Sequence, residues 1–259
     1  MNNLFSFHGI DHKVGVTMTA QSVAELIASQ NSNIKVLFIS LNGRKNCEFV
    51  KEEVKTIDEF KLQLDSQMLI SKDFVRDCRH KKNLHILAGL SNELEERYYF
   101  PDAAKYLLES VSGSFEIIIA DTGSDLNNGL ALGGLSIAAK KYLILTQLES
   151  NLFRYEEMLP WFEKALVKFD GFIINKFCEE DPHTLKYIVE RLCINKEKSF
   201  KIQAAGYDRQ AELEHKTLME FKTDSYLEDI ATIANNVLKA SGLPQIQLQR
   251  KNKLWRNFI

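Results

Sequence analysis

The chain has 259 residues, 45% of them hydrophobic, enough for one large domain with a continuous buried core. Lys and Arg number 33 against 35 Asp and Glu, a formal net charge of -2, which excludes a molecule-wide basic field for holding nucleic acid. No run approaches the ~20 apolar residues of a membrane span, and the start MNNLFSFH lacks a signal peptide's basic and apolar pattern, so the expected compartment is the cytoplasm.

In chain order, short apolar runs alternate with longer stretches of helical period, as expected for β-α units on a mostly parallel sheet. A strand is predicted over residues 4–8, then the loop GIDHKVGVTM, then a helix over 19–29. A second strand is predicted over 34–41. Residues 45–82 are dense in charge and read as two short helices without a domain boundary. Strands at 84–87, 115–120, 142–146, 171–175 and 200–203 follow, separated by helices at 101–110, 154–167, 182–192 and 226–240. Ile117 to Ile119 and Phe172 to Ile174 are apolar without alternation, which marks strands buried on both faces. Pro101 and Pro182 are placed in first helical turns, where proline is tolerated. The domain is expected to fill residues 1–241 and a basic, aromatic tail residues 242–259.

The first strand, tight loop and helix start form an anion site in outline, because exposed N–H groups and the helix dipole converge there. The ordinary phosphate loop reads G-x-x-x-x-G-K-[ST], with the lysine on the β/γ-phosphates and the hydroxyl on Mg²⁺. Gly15 and Thr17 fit this pattern, whereas Val16 replaces the lysine and Ile10 the first glycine. Lys13 could serve as a displaced cation. On the residues alone an ordinary strand-to-helix turn is the commoner reading of such a loop, with Thr17 as a cap. Asp121 stands at the C-terminal end of an apolar strand, the edge where such sheets place ligands, or in a plain strand-ending turn. Asp125 and Asp208 read as caps of the helices that follow them.

Five landmarks in order resemble the MinD/ParA ATPases, a SIMIBI-class branch of the P-loop NTPases with a deviant phosphate loop. VGVTMTAQSVA at 14–24 is similar to G-V-G-K-T-T-T-A-x-N-L-A, and FEIIIADTG at 115–123 to Y-D-Y-I-I-I-D-T-P. LILTQ at 143–147, FIINK at 172–176 and GYD at 206–208 resemble the V-V-T-x-P, V-x-N-[KR] and P-Y-D segments. The resemblance implies a doubly wound, mostly parallel α/β sheet with helices on both faces. It implies ATP held by Lys13, Val14, Gly15, Val16, Thr17, Met18, Asn175, Tyr207 and Asp208, with Mg²⁺ near Thr17 and Asp121. Asn175 would read adenine and Asp121 would be the catalytic carboxylate that orients water or metal.

A small or apolar residue in place of the loop lysine, with NLHILAGL at 83–90, resembles the TadZ/CpaE branch associated with Flp/Tad pilus assembly. That likeness implies a localisation or assembly factor for pilus or secretion machinery, and a homodimer with ATP trapped between subunits. The departures predict at most a slow ATPase. Asp11 takes the place of a signature lysine, His12 and Lys13 replace paired glycines, and Ser40-Leu41-Asn42 replaces D-x-D. Two rival readings follow: a nucleotide-free pseudo-ATPase scaffold, favoured by these losses, and a ParA-like segregation or cell-division ATPase, disfavoured by them and by the net charge.

Cys47, Cys78, Cys178 and Cys193 form no C-x-x-C pair and fall in segments read as strand or helix, against a zinc site or a disulfide framework. His8, His12, His80, His85, His183 and His215 show no paired metal spacing. In the tail, Arg250, Lys251, Lys253 and Arg256 are interleaved with Leu254, Trp255, Phe258 and Ile259 without an acid, a pattern suited either to peripheral membrane contact or to a disordered or domain-docked tail.

Overall fold

The computed structural model describes residues 1–45, 48–221 and 223–248. Cys47 and the basic stretch at 249–259, with the membrane contact expected of it, lie outside the described residues. All seven predicted strands form: β1 (Leu4–Gly9), β2 (Val36–Ser40), β3 (Leu84–Leu87), β4 (Ile117–Asp121), β5 (Lys140–Leu145), β6 (Gly171–Phe177) and β7 (Ser199–Gln203). They make one sheet in the order β3-β2-β4-β1-β5-β6-β7. Every pair is parallel.

The apolar runs are explained by burial on two faces. In β4, Ile117 and Ile119 point into one core and Ile118 and Ala120 into the other, as Val36 and Phe38 oppose Leu37 and Ile39 in β2. Over the first core lie α1 (Val16–Gln30) and α9 (Asp224–Ala240), and over the second α4 (Pro101–Ser112) and α5 (Gly129–Ile137). Near the β5–β6 half, Tyr155 of α6 (Glu149–Lys164) meets Phe172 edge-on at 5.9 Å. The two short helices expected in the charged stretch are α2 (Lys61–Asp65) and α3 (Ser71–Asp77), while α7 (Leu185–Arg191) and α8 (Asp208–Glu214) flank β7.

Several local expectations are corrected. Asn128, not Asp125, caps α5, its side chain accepting from the Ala131 amide, while Asp125 closes a turn onto the Asn127 amide. Pro182 stands before α7, whose cap is Thr184. Asp208 is the first residue of α8 and makes no capping bond. Cys178 and Cys193 are exposed and stand just beyond β6 and α7. Packing continues past residue 241: Leu243, Ile246 and Leu248 lie against the first core, and Ile246 exchanges two hydrogen bonds with the Asn235 side chain.

The chain direction locates a crevice. β1 leads through α1 to β2 on one side, and β4 leads through α5 to β5 on the other, so the C-terminal ends of β1 and β4 form a topological switch point. His8 stands at that end of β1, fully buried between Phe162 and Phe169, with Nδ1 3.2 Å from the Thr122 carbonyl and hydroxyl oxygens. Burial is the main reason its pKa falls to about 4, so the ring is neutral in the folded protein. In the unfolded chain it takes a proton near its ordinary 6.5, so the unfolded state binds more protons between those values. Stability present above pH 6.5 is therefore expected to decline as pH falls towards 4, by up to about 3 kcal/mol. His8→Asn should flatten that part of the pH profile in denaturant titrations; an unchanged profile would refute the assignment.

Candidate functional site

At the switch point the β1–α1 loop closes a cleft of about 540 Å³. Two features shape the loop. Lys13 and Gly15 adopt left-handed backbone, with φ of 61° and 91°. Gly15 then precedes the first turn of α1, where its carbonyl accepts the Thr19 amide at 3.0 Å. The residues that open the helix, Val16, Thr17 and Met18, line the cleft, and the positive end of the helix dipole lies there with them.

Gly15 is required for more than its φ. A β-carbon there would stand 2.3 Å from Nδ2 of Asn175, which donates to the Val14 carbonyl at 2.8 Å. The β6 side chain thus straps the loop down. Lys176, next in β6, donates from Nζ to the Lys13 carbonyl at 3.3 Å. Across the loop, Arg154 of α6 donates from Nε to the Ile10 carbonyl at 3.0 Å and stands 3.9 Å from the Asp11 carboxylate. Asp11 therefore faces a cation supplied by α6.

Asp121 is completely buried and central. The Thr17 hydroxyl donates to its Oδ2 at 2.6 Å, the Asn42 amide to the same oxygen at 3.2 Å, and the Gly123 N–H to Oδ1 at 2.8 Å. Register produces this convergence, since Asp121 pairs with Phe7 of β1 and Ser40 of β2. Thr17 is consequently no cap; the cap position belongs to Gly15. A hydroxyl and a carboxylate adjacent at a helix N-terminus fit Mg²⁺, which is commonly held by one or two carboxylates with phosphates and water. Among the described residues no three His, Cys, Asp or Glu side chains cluster as an all-protein metal site.

Of the residues expected to hold nucleotide, Lys13, Gly15, Val16, Thr17, Met18, Asn175 and Asp208 line the cleft, as does Asp121. Val14 is buried beneath the loop and contributes its carbonyl. Tyr207 is outside the lining, stacked on Phe221 at 5.4 Å. The Val16 side chain reaches over Gly9: a β-carbon on Gly9 would lie 2.7 Å from its Cγ2.

Among the described residues the lining's cations are Lys13, Arg44 and Lys176, against seven carboxylates. Burial, and next the Asp125 carboxylate, push Glu96 above the usual carboxylate range. Nothing in the local sequence around Arg44, Glu96 or the loop support Arg154 signals this site, because each arrives from a different segment.

No family model matches the chain, and no curated protein matches it. Solved structures do. A ParA family ATPase from Chlorobium tepidum TLS superposes with a TM-score of 0.77 at 14% identity, covering 90% of this chain and 99% of that one. The septum site-determining protein MinD from Pyrococcus horikoshii OT3, complexed with Mg-ADP, gives 0.73 at 16%, covering 93% and 98%. A Cyanothece McdA variant complexed with ATP gives 0.68 at 17%, covering 95% and 98%. The chain therefore has the α/β fold of the MinD/ParA P-loop NTPases, with a seven-stranded parallel sheet.

Proposed function

We propose that the chain is a nucleotide-responsive localisation or assembly factor that binds ATP with Mg²⁺ in this cleft and hydrolyses it slowly or not at all. The observation that carries the reading is the Thr17 hydroxyl 2.6 Å from the Asp121 carboxylate, at the mouth of a left-handed loop that opens a helix. Solved structures of the same fold hold Mg-ADP or ATP, which supports the ligand class. In this assignment the α1 amides and Lys13 receive phosphate, Thr17 and Asp121 hold Mg²⁺, and Asn175 keeps the loop in shape. Mg²⁺, when bound, offsets phosphate charge in a cleft already rich in carboxylates.

Slow turnover follows from what stands at the reacting end. Val16 brings an apolar side chain where a lysine would neutralise phosphate. Ser40 and Asn42 bring no charge, and Asn42 uses its amide to hold Asp121. Each lost transition-state contact commonly costs a few kcal/mol. Binding that outlasts hydrolysis suits a switch ligand, with ATP favouring a homodimer over the monomer by its higher affinity for that state. The TadZ/CpaE likeness of the loop and of residues 83–90 points to pilus or secretion machinery as the client.

Calorimetry with ATP and Mg²⁺ should show one site per chain, and sedimentation should show a shift to dimer on adding ATP. The excess of carboxylates over cations in the cleft favours the rival, a nucleotide-free scaffold. No heat at millimolar ATP, together with an unchanged sedimentation profile, would leave that rival standing.

A further inference from the structure

A second cavity, of about 310 Å³, opens where α2, the turn Glu93–Tyr98 and the start of α4 meet. That volume is at the low end of ligand pockets and suits one or two large side chains better than a cofactor. Its walls are largely aromatic: Tyr98, Tyr99, Phe100 and Tyr106. Among the described residues its charged lining is Asp65 and Asp102, without a lysine or arginine. Phe100 is 72% and Tyr98 56% exposed, large apolar groups left facing water.

The surroundings favour a positively charged occupant. The Tyr99 hydroxyl is buried without a partner, and Asp58, Glu95 and Asp65 add to burial in pushing its pKa up to about 12. The rim already seats cations on these rings. Lys61 lies 4.5 Å from the Tyr99 ring centre and 3.6 Å from Asp65, Arg97 lies 5.0 Å from the Tyr98 ring centre, and Lys105 pairs with Asp102 at 3.1 Å. These exposed pairs are individually weak, so an incoming arginine or lysine can replace them while an apolar neighbour fills the cavity.

The chain itself carries a segment of that chemistry. Residues 249–259, QRKNKLWRNFI, hold four cations and no acid, with Leu254, Trp255, Phe258 and Ile259 interleaved. The described chain ends at Leu248 against the core beneath α1 and α9, whereas the cavity stands on the opposite layer, around Leu64 and Tyr99 of the second core. The start of the segment and the aromatic cavity therefore lie on different faces of one molecule.

We propose that the aromatic, acidic cavity between α2 and α4 receives residues 249–259 of a second copy of this chain. The contact joins one surface to a different surface, so two copies either exchange segments in a closed two-fold pair or leave a free cavity at one end and a free segment at the other. It uses nothing in the nucleotide cleft and stands whether or not ATP binds.

The test is sedimentation of the full chain without nucleotide. The wild type should associate in a concentration-dependent way. The doubly substituted Tyr98→Ala, Phe100→Ala chain, altered only at exposed rings, and the separate Trp255→Ala chain should each associate roughly tenfold or more weakly, as expected on losing aromatic anchors. Circular dichroism checks that both fold. Mixing the two variants should restore a two-chain species, because one retains the segment and the other the cavity. A wild type that stays monomeric, variants that associate normally, or a mixture that fails to pair would overturn the proposal. Flotation of the wild type with anionic phosphatidylserine vesicles, lost in Trp255→Ala while the cavity variant still floats and self-association is absent, would assign the segment to lipid and overturn it equally.

Discussion

Replacing Gly15 by alanine is expected to unseat the β1–α1 loop and remove the proposed ATP binding. The left-handed backbone at φ 91° costs any β-carbon about 1–2 kcal/mol. The same carbon would stand 2.3 Å from the Asn175 amide nitrogen, so that side chain must swing away and its bond to the Val14 carbonyl is lost, adding about 1 kcal/mol. Together these lower stability by about 2–3 kcal/mol, a fall of several degrees in melting temperature. Binding should suffer more, because the α1 amides are aimed by the geometry that breaks. The double variant Gly15→Ala, Asn175→Ala removes the clash but not the strained φ. It should therefore melt above the sum of the single effects, a positive coupling between touching positions. Melting curves of the three variants with calorimetry against ATP read both effects. Strictly additive melting losses, or unaltered ATP binding by Gly15→Ala, would show that Asn175 does not strap the loop.

The strands were legible because a parallel sheet covered on both sides demands runs such as Ile117 to Ile119, apolar at every position. Helix α5 was not. Its sequence GLALGGLSI has no polar face to mark a helical period, and three of its nine residues are glycine, the poorest helix former after proline; those glycines serve packing, since a β-carbon on Gly133 would lie 2.3 Å from the Pro101 carbonyl of α4. Propensity gave way there to the close approach of two helices. The cap at Asn128 was missed for a related reason, since Asp125 is an equally good local signal and only the turn geometry separates them.

At the site, Gly15, Thr17 and Asp121 could be named from motif resemblance, and register brings them together. Arg154, a support of the loop, could not, and Asn175 could be named only for reading adenine, not for holding the Val14 carbonyl. Arg154 lies 144 positions from the carbonyl it holds, and Asn175 161 positions from its own, separations over which single-sequence patterns carry no information on such contacts. Tyr207 belongs to a matching motif, and its ring stacks on Phe221 outside the lining of the cleft.

Val16→Lys tests which part of the missing chemistry limits the cleft. The valine is 8% exposed and its methyl rests over Gly9, so the substitution forfeits some apolar packing, about 1 kcal/mol of stability in the absence of ligand. The lysine stem can follow the same surface while its ammonium reaches the cleft, which Val16 already lines. A charge-assisted bond to phosphate contributes about 1.5–3 kcal/mol, so ATP should bind roughly ten- to a hundredfold more tightly. ADP should gain less if the new contact includes the terminal phosphate. Hydrolysis, however, should stay slow, because Ser40 and Asn42 still supply no carboxylate where the D-x-D pattern would place two. Tighter binding with unchanged turnover would locate the catalytic deficit in β2 and the affinity deficit in the loop. If ATP affinity does not rise at all, the cleft's seven carboxylates dominate the site, and a cation at position 16 was not what it lacked.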